Sequence, residues 1–141
     1  MKKIRIIADS TLDLPSDLIR ERNIEVLPLL INFGEESYLD GVEINTSQMI
    51  ERINKDNILP TTAQITPNRF EAAFREALDA GEQVLALTLS SDMSGTYQSA
   101  CIAKNMIESD DIVVIDSRNV TSGLGILVLK ACELRDKGYS L

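Results

Sequence analysis

Directly after the apolar run Val84–Leu89, the chain reads Ser90-Ser91-Asp92-Met93-Ser94-Gly95-Thr96-Tyr97-Gln98-Ser99, rich in hydroxyls and without one basic residue. A Ser-Gly pair opening a helix offers an anion a side-chain hydroxyl and the N–H groups of Gly95, Thr96 and Tyr97. The first turn of a helix has no internal acceptors for its amides, and the helix dipole favours negative charge there. Such a cradle fits a carboxylate or a single phosphate. Two more hydroxyl-rich loops follow strand-like runs: Asp9-Ser10-Thr11, and Asp116-Ser117 with Thr121-Ser122-Gly123. Open α/β sheets bind ligands beyond the carboxyl ends of their strands. The candidate pocket is therefore Ser94 and Gly95, with Asp9, Ser10, Ser91, Met93, Ser122 and Gly123 around them. Each hydroxyl alone is explained as a helix cap, worth about 1 kcal/mol. A site is favoured because three loops end at one sheet edge, with the double threonine Thr61-Thr62 in a fourth.

Several chemistries are excluded. The chain has no histidine, so it cannot assemble a Ser-His-acid triad by itself. It carries neither a nucleophile elbow nor a P-loop. Gly123-Leu124-Gly125 begins like a dinucleotide fingerprint, but Val128 stands where the third glycine belongs, and close helix–sheet packing accounts for the glycines. Cys101 and Cys132 lack metal-ligand spacing and read as packed thiols. Asp9, Asp13 and Asp17 lack calcium-loop spacing, and acids at a helix start explain the latter two. No metal and no cofactor are expected. Two rival functions share the same loops: a hydrolase with Ser94 as nucleophile or Asp9 as acid/base, and a phosphometabolite or nucleotide binder using the same helix start.

The elements that must position these loops alternate. Strands are expected at Ile4–Ala8, Val84–Leu89 and Ile112–Ile115. Helices are expected from Pro15 to about Arg22, Thr46 to Asn54, Pro67 onward, Gly95 to Glu108 and Ser122 to Lys137. Phe70, Ala73, Phe74, Ala77 and Leu78 form one apolar helical stripe, stopped by Gly81. Ile24 to Phe33 reads as extended, followed by a hairpin-like excursion, and Thr61 to Pro67 reads as a polar loop. The expectation is one α/β domain, 1–141, with a mostly parallel sheet and helices on both faces.

With 141 residues, 44% hydrophobic and 26% charged, the chain can bury a real core. Its net charge of −8 argues against binding nucleic acid or an anionic membrane over a broad surface. No apolar run reaches the length of a membrane span, and the start lacks the pattern of a signal peptide, so a cytoplasmic location is expected.

Four segments occur in the order and spacing of the DegV family: Asp9-Ser10-Thr11-Leu12-Asp13-Leu14-Pro15, Thr62-Ala63-Gln64-Ile65-Thr66-Pro67, Leu89 to Ala100, and Ile115-Asp116-Ser117 with Ser122-Gly123-Leu124-Gly125. Tyr38-Leu39-Asp40-Gly41 agrees as well. The chain resembles the N-terminal domain of these bacterial fatty-acid-binding proteins, several of which are the acyl-carrying subunit of fatty acid kinase. The resemblance implies a non-enzymatic protein that encloses one long-chain fatty acid and presents its carboxylate to a partner kinase, which makes an acyl-phosphate for phospholipid synthesis. It implies that Thr62 and Ser94 hold the carboxylate, and it makes Met93 a tail contact or a core methionine. The chain departs from the family in two ways. The family's T-S-Q-P is Thr62-Ala63-Gln64-Ile65 here, and the family's C-terminal domain, which supplies a histidine, an arginine and much of the tunnel wall, is absent from these residues.

Overall fold

A computed structural model describes residues 1–141. Four strands, β1 (Ile4–Asp9), β2 (Ile24–Leu27), β6 (Gln83–Thr88) and β7 (Ile112–Asp116), form a wholly parallel sheet in the order β2-β1-β6-β7. Ile6 pairs with Leu85 and Ile7 with Ala86, so β1 lies centrally and is buried almost throughout. Successive side chains of a strand point to opposite faces. Ile7, Val84, Ala86 and Ile112 pack against Phe70, Ala73, Phe74 and Ala77 of α3 (Pro67–Asp79) and Ala100 and Ala103 of α4 (Thr96–Ile107). Ile4, Ile6, Ala8 and Leu87 pack against Leu124, Val128, Ala131 and Cys132 of α5 (Ser122–Asp136). Helices therefore cover both faces, as expected. The apolar stripe of α3 is buried, with the Phe70 and Phe74 ring centroids 5.7 Å apart, and Gly81 follows the helix at φ +75°. Cys132 is a buried thiol and Cys101 is half-buried on α4. No helix is long and apolar enough to cross a membrane.

The expected hairpin-like excursion is β3 (Leu30–Phe33) with β4 (Glu36–Leu39), and it belongs to a second sheet whose third strand the sequence did not show. With β5 (Thr61–Ala63) they form an antiparallel sheet in the order β4-β3-β5. The extended segment Ile24 to Phe33 is thus two strands in two sheets, interrupted at Pro28, which has no N–H to give a ladder. Thr61–Ala63 is a strand, correcting the loop expected there: Thr62 pairs with Ile31 and Ala63 with Leu30. Helix α1 (Ser16–Glu21) starts just after Pro15. Helix α2 (Thr46–Asp56) begins in a reciprocal capping box, each bond 2.9 Å, between Asn45 and Gln48. The α2 residue Arg52 lies 4.7 Å over the Phe33 ring and donates to Tyr38 Oη, clamping helix to sheet. Thr66 supplies only the extended backbone before Pro67, without a capping hydrogen bond.

Candidate functional site

The parallel register sets the carboxyl ends of β1, β6 and β7 side by side, and side chains knot the loops beyond them together. Asp9 ends β1 fully buried. Its carboxylate accepts from Leu89 N at 2.6 Å, Thr11 N at 2.9 Å and Thr11 Oγ1 at 2.6 Å. Burial pushes its carboxyl above the usual aspartate range, and these hydrogen bonds offset only part of that. Asp116 ends β7 and accepts from Ser91 Oγ at 2.5 Å, Ser91 N at 3.1 Å and Arg118 N at 3.0 Å. The Ser91 bond is the main reason its carboxyl sits below the usual range. Ser90 N donates to Asn119 O at 2.8 Å, completing the chain of ties. Ser10 Oγ accepts from Leu29 N at 3.0 Å. Asp9, Ser10 and Ser91 therefore stand at the expected edge, with polar atoms engaged in holding the loops.

Ser94 is placed differently. It sits half-buried just before α4, where Gly95 is the cap residue. Its Oγ accepts from Thr96 N at 3.2 Å and lies 2.9 Å from Thr96 Oγ1. Thr96 is fully buried and Ser94 is the only partner of its hydroxyl, so leaving the Thr96 proton unpaired would cost roughly 1–3 kcal/mol. The Thr96 proton therefore goes to Ser94, and Ser94 keeps its own proton to donate outward. The amides of Gly95, Tyr97 and Gln98 have no acceptor within the chain. Together these make a cluster of neutral donors at a helix N-terminus.

Thr62 is an exposed residue of strand β5. No hydrogen bond joins Thr62 to Ser94; the link runs through Gln64, two residues on. A Cβ built on Gly95 would lie 2.0 Å from Gln64 Oε1 and 2.8 Å from its Cδ, so the carboxamide rests on the bare face of the glycine. Gln64 Nε2 also reaches Ser99 Oγ at a long 3.4 Å. The Ser-Gly pair was a sequence signal that something approaches closely at residue 95, but nothing in the sequence named Gln64 as the neighbour.

Other candidates lie further out. Met93 is 65% exposed at the loop tip, which removes the core alternative for its side chain. Ser122 is exposed at the start of α5, and Gly123 packs on Asn119 Oδ1, 2.4 Å from where a Cβ would stand. Gly125 fits against Leu12 O at 2.5 Å by the same measure, so this glycine pair serves close packing, but against the loops after β1 and β7 rather than against the sheet as expected. Thr121, at φ 54° and ψ −133°, is a strained conformation for a β-branched residue. No group of three or more potential ligating side chains could hold a metal. An apolar groove of about 450 Å³ runs along Leu85, Leu87, Val113 and Ile115 beside α5, and neither Thr62 nor Ser94 lines it.

Comparison with known proteins gives consistent matches. A family model described as "Uncharacterised protein, DegV family" matches residues 3–141. A DegV domain-containing protein of Clostridium perfringens is 58% identical over 141 residues, covering all of this chain and 50% of that protein. The solved structure of a DegV family protein of Thermus thermophilus, described for its fatty acid binding, superposes with a TM-score of 0.89 at 36% identity, covering 99% of this chain and 49% of the other. A stearic acid-binding protein of Eubacterium ventriosum superposes with a TM-score of 0.91 at 28% identity, covering 100% and 50%. The chain spans about half the length of the relatives it matches.

Proposed function

This chain belongs to the DegV family, and on that premise we propose that it binds a long-chain fatty acid, grips the carboxylate at Thr62, Ser94 and Gly95, and presents it to a kinase in the cytoplasm. The observation that carries the reading is the uncharged donor cluster at residues 94–98: the Ser94 hydroxyl and three amides without an acceptor in the chain, with no cation among them. Neutral donors hold a carboxylate without cancelling its charge. One carboxylate oxygen then stays nucleophilic toward the terminal phosphorus of ATP. Its attack forms the acyl-phosphate O–P bond as the bond to the ADP leaving group breaks, and the partner supplies the phosphoryl positioning. No cofactor is needed on this chain.

Affinity and orientation come from different parts of the ligand. Each buried CH₂ contributes about 0.8 kcal/mol, so a chain of about fifteen supplies on the order of 10 kcal/mol before ordering costs. Hydrogen bonds to a charged headgroup add about 1.5–3 kcal/mol each. The test is extraction of ligand from the purified full-length gene product, with mass spectrometry, followed by calorimetry and acyl-phosphate assays of Thr62→Ala and Ser94→Ala. The expected result is a co-purifying fatty acid, affinity reduced about tenfold in either variant, and a larger loss of phosphorylation. Unchanged phosphorylation in both variants would remove the headgroup assignment, and a bound nucleotide would replace the fatty acid altogether.

A further inference from the structure

We propose that Gln64 is a positioning residue of the headgroup site, acting through Gly95. Its carboxamide, seated on the bare glycine face, fixes β5 and hence Thr62 against the first turn of α4. The inference rests on the fatty-acid reading for its ligand, but its geometry stands independently. Thr62 and Ser94 come from different layers: Thr62 lies on the small antiparallel sheet, paired with Ile31, and Ser94 on the loop leaving the parallel sheet. They share no hydrogen bond, so on the proposed reading the two half-sites have no direct bond to set their spacing.

Gln64 spans that gap. It follows β5 by one residue, and its side chain reaches both Gly95 and, at 3.4 Å, Ser99 Oγ one turn into α4. The contact tolerates only glycine at 95. A methyl there would sit 2.0 Å from Oε1, 2.8 Å from Cδ and 3.1 Å from Nε2, closer than real Cβ contacts allow for the first two whichever way the amide is turned. The obstructed group is the far end of a flexible side chain rather than backbone. Gly95→Ala therefore displaces Gln64 and leaves the fold standing. This makes the pair separable by mutation: Gly95→Ala and Gln64→Ala remove the same contact from opposite sides.

The experiment is a double-mutant cycle in the full-length gene product with Gln64→Ala, Gly95→Ala and the pair. Three quantities are read: thermal midpoint, affinity for a fatty acid and for the fatty alcohol of equal chain length, and hydrogen exchange at the Thr62 and Ala63 amides. Each single variant is expected to lose about tenfold in acid affinity, with the double variant no worse than either. In Gln64→Ala, alcohol affinity and thermal midpoint should hold close to wild type, because tail burial and the core are untouched. Exchange at 62 and 63 should rise equally in all three variants. Additive losses, an equal loss for acid and alcohol, or unchanged acid affinity in Gln64→Ala would each overturn the proposal. If the wild-type protein binds neither ligand, the fatty-acid reading fails by itself, and the exchange cycle still decides whether Gln64 holds β5 to α4.

Discussion

Replacing Asp9 by asparagine tests how the loop edge is built. In either orientation of the new amide, an NH₂ group takes the place of one accepting oxygen. Turned toward Leu89, it opposes that residue's N–H across 2.6 Å; turned toward Thr11, it opposes an N–H across 2.9 Å, and only the Thr11 hydroxyl can rotate to accept. A buried donor left unsatisfied costs about 1–3 kcal/mol, partly offset because asparagine carries no charge to desolvate. A net destabilisation of about 1–2 kcal/mol at neutral pH follows, a fall of about 3–8 °C in thermal midpoint for a domain of this size.

The pH dependence is more diagnostic than the offset. Burial raises the Asp9 pKa in the folded state, so the native protein holds this proton more tightly than the unfolded chain does. Stability from this group is therefore highest below the ordinary aspartate value of about 4 and declines as pH climbs from there through the raised value. The Asp9→Asn variant has no such slope. Parallel thermal scans of both proteins from acidic to neutral pH should show the wild-type advantage shrinking as pH rises. A constant offset would refute the buried, proton-retaining carboxyl, and a variant of equal or greater stability would refute its role as the tie between β1 and β6.

Two further predictions concern the glycines of α5 and the Asp116 tether. Gly125→Ala drives a methyl into the Leu12 carbonyl and the Leu14 side chain and should cost about 1–3 kcal/mol, whereas Gly123→Ala meets only the Asn119 side chain, not backbone, and should cost less, staying within about 1 kcal/mol of wild type. Urea midpoints at constant slope measure both, and equal losses would contradict the packing role assigned to Gly125. Asp116 has its pKa lowered chiefly by the Ser91 hydrogen bond, so that tether is complete above the ordinary carboxylate range and lost as pH falls through the depressed value. The Ser91 amide resonance should move with that titration and be pH-independent in Asp116→Asn; a Ser91 signal indifferent to Asp116 would contradict the tether.

Much of this architecture was legible because its signals are local. Short apolar runs bounded by turn residues marked β1, β6 and β7, and a helical stripe from Phe70 to Leu78 marked the buried face of α3. Strand β5 was not legible, since Thr61-Thr62-Ala63 is extended only because Leu30–Asn32, about thirty residues earlier, offers it an edge. The distant partners of Asp9 and Asp116 were invisible for the same reason: Leu89 lies 80 residues from Asp9, and Ser91 lies 25 from Asp116.

The hydroxyl loops show why residue type alone marks a site only coarsely. Ser10, Ser91 and Ser94 read alike in sequence, yet Ser10 takes an amide from Leu29 and Ser91 gives its proton to a carboxylate, so both are engaged in shaping the loops. Ser94 differs because its neighbour Thr96 is buried with a proton that only Ser94 can receive. A hydroxyl that accepts twice from inside the fold has its own hydrogen free for something outside it. On the proposed reading, what singles Ser94 out is the direction of one proton, and a residue two positions along the chain sets that direction.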